Sequence, residues 1–202
     1  MLVSNKYKSI FIAIPHTGST VIEEVLVNNY GFKPIRNKHS LPVYLPKKFR
    51  GYKIVGGICD PLSDMSTMYW KFKNDHLGLY SEALKNNRKM IRHKSISNRG
   101  LYFFKKVNSG TWDFNQFIKK STSPFFVSRI NVNKSMYDYI YHKDSLEKDW
   151  HKIKFIFGID DSFELPRKNI TQNKQKIILN KKSKIILEPQ TLSFKKEKIK
   201  PL

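Results

Sequence analysis

The chain has 202 residues, 40% hydrophobic and 13% aromatic, enough to bury a real core in one domain or a domain with a tail, which excludes global disorder. Its 38 Lys and Arg against 16 Asp and Glu give a formal net charge of +22, which points to polyanionic partners on a background rich in Lys, Asn and Ile. No apolar run is long enough to cross a bilayer, the N-terminal residues lack a secretory pattern, and the single cysteine, Cys59, cannot form an internal disulfide, so a cytoplasmic protein is expected.

Tyr7 to Ile14 reads as a buried first strand. It ends in the small-residue turn Pro15-His16-Thr17-Gly18-Ser19-Thr20. Residues 20–30 follow with a helical period, Val21, Ile22, Val25 and Leu26 on one face and Glu23, Glu24 and Asn28 on the other. Thr20 and Glu23 have the spacing of a capping box, and Gly31 supplies a stop. Pro34, Pro42 and Pro46 mark an irregular connection. Lys53 to Ile58 is a second apolar strand, in which Gly56 and Gly57 imply close approach by another group. Asp60-Pro61 opens a helix.

Further on, Tyr80 to Lys94 reads as a helix, Ser95 to Gly100 as a loop, and Thr111 to Lys119 as a short helix behind a Thr or Asp cap. Tyr137 to His142 alternates as a strand. Leu146, Trp150, Ile153 and Phe157 then share one face of a helix over Asp144 to Phe157, with Asp144 and Glu147 as its capping box and Gly158 as its end. From Arg167 onward eleven Lys or Arg stand against two Glu. The composition therefore divides an α/β domain over residues 1–170 from a basic C-terminal extension over residues 171–202 that packs on it or trails from it.

Strand–turn–helix followed by strand–helix predicts an α/β fold with a central parallel sheet. Ligands of such sheets bind beyond the carboxyl ends of the strands, where His16 to Thr20 and Cys59 to Thr67 would both fall. In the first turn Gly18 permits a tight bend, Ser19 and Thr20 offer hydroxyls, and the helix contributes its dipole, which together suit an anion. The same residues also suit a plain strand-to-helix turn with a Thr cap. The Walker A spacing is absent. No His, Cys, Asp or Glu group has metal-ligand spacing, so no metal is expected.

The segment Pro15 to Thr20 resembles the Pro-Lys-Thr-Gly-Gly/Ser-Thr loop of sulfotransferases that use 3′-phosphoadenosine 5′-phosphosulfate (PAPS). Cys59 to Tyr69 resembles the family's Arg-Asp/Asn-Pro-Tyr-x-Arg-x-x-Ser-x-Tyr motif, with Asp60, Pro61 and Tyr69 matching and Thr67 in place of the serine. Tyr139 to Asp149 is similar to its Tyr-Ile-x-x-x-Glu-x-Leu-x-x-Asp, and Gly158-Ile159 and Leu165-Pro166 with Asn169 are similar to its closing segments. With gaps, the resemblance runs from about residue 7 to residue 170.

The resemblance implies a three-layer, P-loop NTPase-like sulfotransferase fold that moves a sulfuryl group from PAPS to a hydroxyl of a carbohydrate acceptor, an anionic glycan included, without a metal. On that pattern Thr17, Gly18, Ser19 and Thr20 hold the phosphosulfate, and Cys59 and Thr67 occupy the 3′-phosphate positions. His16 stands where the family has a lysine at the bridging oxygen. His39, in the segment after the first helix, is the candidate base, with His16 as the alternative. Cys59 replaces an arginine and brings no charge, so Arg92, Arg99 or Arg129 is needed to restore it. Two other readings follow from the same residues: a catalytically degenerate sulfotransferase-like protein that binds an anion, and a basic nucleic-acid-binding protein with aromatics among its lysines. A membrane partner is not expected.

Overall fold

In the computed structural model, which describes residues 1–85, 96–121, 134–161, 163–166, 178–184 and 187, the first apolar run is half of a hairpin. Leu2–Ser4 (β1) pairs antiparallel with Ser9–Ile12 (β2), placing Leu2 opposite Phe11. Tyr7 and Lys8 belong to the connecting turn, where Lys8 takes a φ of 47°. Lys33–Pro34 (β3) pairs antiparallel with β1, while Lys53–Ile58 (β4) and Tyr139–His142 (β5) extend the sheet in parallel from β2. The order is β3-β1-β2-β4-β5. The fold is thus α/β, as expected, but its sheet is mixed rather than wholly parallel. The antiparallel part arises because four N-terminal residues and a tight turn suffice for a hairpin, whereas each parallel step needs a long crossover.

Two compact units make up the chain: Met1–Asp60 with Pro124–Ile170, and Pro61–Ser123 with Thr171–Leu202. The second unit thus joins residues 61–123 to 171–202, a grouping that differs from a single domain over residues 1–170. The chain's first entry into it at Pro61 has no compositional mark.

The first unit contains the sheet, Ser19–Tyr30 (α1) and the later helix Leu146–Phe157, labelled α6 below. Phe11, Ala13, Val55 and Tyr141 present one face of the sheet to Ile22, Val25 and Leu26 of α1 and to Trp150, Ile153 and Phe157 of α6. Phe11 and Tyr141 stack at 6.2 Å between ring centres. The glycines of β4 are fitted to rings: a Cβ on Gly56 would lie 2.5 Å from Tyr137, and one on Gly57 only 2.2 Å from Tyr141. Both helices stop at the expected glycines, Gly31 (φ 66°) and Gly158 (φ 68°), in the left-handed conformation.

Neither expected capping box forms in this unit. Gly18 is the N-cap of α1 and Thr20 lies inside the helix, exposed. Asp144 sits in a single 3₁₀ turn, Lys143–Ser145, before α6. The carboxylate that organises this end is Asp149, one turn later. It is buried and accepts from the Tyr139 hydroxyl (2.9 Å), the His142 amide (2.8 Å) and the Ser145 hydroxyl (2.9 Å). At the far end, the buried Lys154 ammonium donates to the carbonyls of Asp161 (2.7 Å) and Phe163 (3.1 Å), and Asp161 also accepts from the Tyr30 hydroxyl.

The second unit is helical among its described residues: Pro61–Lys73 (α2), Leu79–Lys85 (α3), Asn98–Asn108 (α4) and Phe114–Ser121 (α5). Met65, Tyr69, Phe72, Phe103, Phe104, Phe114 and Phe117 form its core. The start of α2 at Pro61 is as expected. The start of α5 is a reciprocal box, in which Gln116 N–H donates to Asp113 (2.7 Å) and Asp113 N–H to the Gln116 side chain (2.9 Å). The Ser95–Gly100 stretch is not all loop: Ser97 caps α4 by accepting from Gly100 N–H at 3.1 Å. The expected helix over Tyr80 to Lys94 is α3 as far as Lys85, and its remainder lies outside the described residues.

Candidate functional site

The parallel register brings three chain ends to one edge of the sheet. Ile12 lies opposite Gly56, and Ile58 opposite His142, so the turn Pro15 to Thr20, the pair Cys59-Asp60 and the 3₁₀ turn Lys143–Ser145 all start from the carboxyl edge. All three belong to the first unit.

The turn is shaped by two positive φ angles, His16 at 64° and Gly18 at 79°, with Thr17 between them outside that region. Alternation of this kind makes successive amides converge, which is the geometry of an anion nest. His16 tolerates the left-handed region at some cost. Gly18 has a second reason to be glycine, since a Cβ there would lie 2.8 Å from Leu146 at the start of α6.

Thr17 and Ser19 turn inward. The Thr17 hydroxyl donates to the Ile14 carbonyl at 2.7 Å, and the Ser19 hydroxyl donates to the same oxygen at 3.0 Å. Thr17 is fully buried, and the Tyr141 hydroxyl lies 3.0 Å from its oxygen. Because the single hydroxyl hydrogen of Thr17 is committed to Ile14, Tyr141 is the donor of this bond. Burial holds the Tyr141 phenol well above the ordinary tyrosine range, so it stays protonated as this role requires. Of the two hydroxyls expected to face an anion, Ser19 and Thr20, the first instead joins Thr17 in locking the turn. What remains for an anion is the amides of the first turn of α1 other than Val21, whose N–H donates to the Gly18 carbonyl at 3.2 Å, and the helix dipole behind them.

Thr20 is exposed at this helix start, and its hydroxyl accepts a hydrogen bond from the Lys38 ammonium at 3.4 Å. Lys38 also pairs with Glu23, one turn into α1. The next residue, the exposed His39, places Nδ1 at 2.6 Å from the carbonyl of Ala13, the residue directly after β2. A carbonyl only accepts, so the proton is on Nδ1 and the free lone pair on Nε2. Partial desolvation of the ring, which is half-covered although the residue as a whole is exposed, lowers the His39 pKa, partly opposed by the Ala13 bond, and favours the neutral ring. The segment after the first helix thus delivers both a cation and a neutral imidazole to the edge where the turn begins.

The structure brings His16, Thr17, Gly18, Ser19, Thr20 and His39 together around the end of β2, and sets Cys59, buried and uncharged, just beyond the neighbouring β4. Thr67 belongs to the second unit, where it is buried in α2 with its hydroxyl on the Ser63 carbonyl at 2.8 Å. Arg99 lies in α4 of that unit, its guanidinium on the Ser121 carbonyl at 3.1 Å. Arg92 and Arg129 lie outside the described residues. Lys38 and Tyr141 are the two site residues that sequence reasoning passed over. Lys38 had a signal, being next to His39, whereas Tyr141 reads only as a strand residue. Among the described residues no group of His, Cys, Asp and Glu could hold a metal ion. No described helix is long and apolar enough to cross a membrane. No family model matches the chain, and neither a curated protein nor a solved structure matches it.

Proposed function

We propose that this chain is a PAPS-dependent sulfotransferase of the three-layer, P-loop-like type, acting on a hydroxyl of a carbohydrate. The observation that carries the reading is the turn from Ile14 to Thr20, a nest of amides at a parallel strand's carboxyl end that opens directly into α1. The amides at the start of α1 receive the phosphosulfate. Lys38, which also pairs with Glu23, brings an ammonium to the bridging oxygen, and His16 stands at the position of the loop lysine. In the transfer, the acceptor oxygen forms a bond to sulfur as the bond from sulfur to the bridging oxygen breaks. The acceptor's proton passes to Nε2 of His39, which is neutral and has its other nitrogen fixed. Adenosine 3′,5′-bisphosphate leaves.

Calorimetric titration with adenosine 3′,5′-bisphosphate, against AMP, tests the donor site. Tight binding that needs the 3′-phosphate is the expected result, and binding of neither nucleotide overturns the reading. Replacing His39 by Gln is expected to lower turnover by about 10²–10⁴-fold with bisphosphate binding unchanged. The buried, uncharged Cys59 at the arginine position favours a second reading, an anion-binding protein without turnover. Equal, weak binding of both nucleotides with no transfer identifies that case.

A further inference from the structure

We propose that the cleft beside this site, between β3 and the 3₁₀ turn Pro42–Tyr44, binds an anionic saccharide, a sugar chain bearing carboxylates. Its role as the acceptor rests on the sulfotransferase reading; its binding does not. The cleft has a volume of about 650 Å³, within the range of small-ligand sites, and Ile35, Arg36, Asn37, Ser40, Val43 and Tyr44 are among its walls.

These side chains form the set that a charged sugar needs. Arg36 is exposed and offers a planar fork to a carboxylate. The Asn37 amide and the Ser40 hydroxyl both donate and accept, as a polyol does. Tyr44 and Val43 are 62% and 58% exposed, an unusual cost for an aromatic and a β-branched residue side by side. A flat phenol ring with a polar tip suits the apolar face of a pyranose.

The walls are preformed. Ile35 N–H bonds to Met1 O at 3.3 Å, Ser40 N–H to Asn37 O at 3.0 Å, and Leu45 N–H to Pro42 O at 2.9 Å. Little ordering is then left to oppose binding. The surrounding charge has one sign: residues 31–59 contain seven Lys or Arg and no Asp or Glu. Of the seven, Lys38 and Lys53 are engaged by Glu23 and Asp138. The turn Asn37–Ser40 contributes two residues, Asn37 and Ser40, to the cleft, and His39 lies between them in the chain. A concave cleft with one exposed ring favours a saccharide over nucleic acid, which would call for a track of rings along a groove.

The test is titration of the full chain at about 150 mM salt with tetragalacturonic acid, with neutral maltotetraose and oligothymidylate as comparisons. Tetragalacturonic acid is expected to bind at least about tenfold more tightly than either comparison, and Arg36→Ala and Tyr44→Ala each to weaken it by about tenfold. A Lys47→Ala/Lys48→Ala variant, changed outside the cleft, is expected to retain its affinity. All these residues are exposed, and unchanged thermal midpoints check that the variants fold. No binding, equal binding of oligothymidylate, or the same loss in the Lys47/Lys48 variant overturns the proposal. Adenosine 3′,5′-bisphosphate titrated separately reports the donor site, so saccharide binding without it retains the cleft and removes only its role as acceptor site.

Discussion

The phenol of Tyr141 donates to Thr17, whose own hydrogen is spent on Ile14, so one buried chain of bonds ties the end of β5 to the turn that follows β2 across 124 residues of sequence. Tyr141→Phe keeps the ring over Gly57 and removes only the donor, leaving one acceptor site of Thr17 unmatched. A loss of about 1–3 kcal/mol in urea unfolding is expected. His39 gives a pH signature at the same scale. Its pKa is lowered on folding below the ordinary histidine value of about 6.5, so between the two values the unfolded chain binds more protons. Its contribution to stability is present in full above about pH 6.5 and declines as pH falls toward the lowered value. The stability difference between the native protein and His39→Gln, followed by urea midpoints from about pH 5 to pH 8, is therefore expected to be flat at the alkaline end and to shrink at the acid end. His39 could be picked out of the sequence as a candidate, but its tautomer could not. That is set by Ala13, 26 residues away, through a backbone bond that no local pattern encodes.

Among the elements, α6 is joined to β5 by Asp149. Asp149→Ala strands three donors, Tyr139, His142 and Ser145, around a buried cavity. The expected cost is about 2–4 kcal/mol by chemical denaturation, with Asp149→Asn smaller because its amide oxygen still accepts. The elements that were legible in the sequence are those fixed by local chemistry. Lys53–Ile58 was bounded by its apolar run, α1 and α6 by their period and closing glycines, and α5 by its cap at Asp113. The failures involve competition. Thr20 and Glu23 have the spacing of a box, yet Ser19 and Thr17 bond back to Ile14 and the cap falls two residues earlier, at Gly18, while Lys38 takes both box residues. Strand β1 was missed because three residues have no period to read, and they become a strand only by pairing with β2. Likewise α4 was hidden by the basic residues Lys105 and Lys106 beside its buried Phe103, Phe104 and Val107.

For the whole molecule the governing quantity is the net charge of +22. Its self-repulsion acts on the folded state more than on the expanded chain, and salt screens it over about 10 Å at 0.1 M. Raising sodium chloride from about 0.02 M to 0.5 M is expected to raise the thermal midpoint by several degrees, a shift that calorimetry can read; an unchanged midpoint would mean that the charges are already compensated in the fold. Composition foretold the sign of this field but not the division of the chain into two units, because residue 61 opens an ordinary helix and only distant contacts assign it to the second unit.

Among the described lysines, Lys154 stands apart as a buried one. Its amine is sealed between α6 and the loop that follows, held by Asp161 and Phe163, while acylating reagents meet exposed lysines such as Lys47, Lys48 and Lys105. Acyl groups will therefore accumulate at those surface amines long before they reach Lys154. Mass spectrometry of the Lys154 peptide consequently counts the molecules whose first unit has opened, without a dye or an added label site.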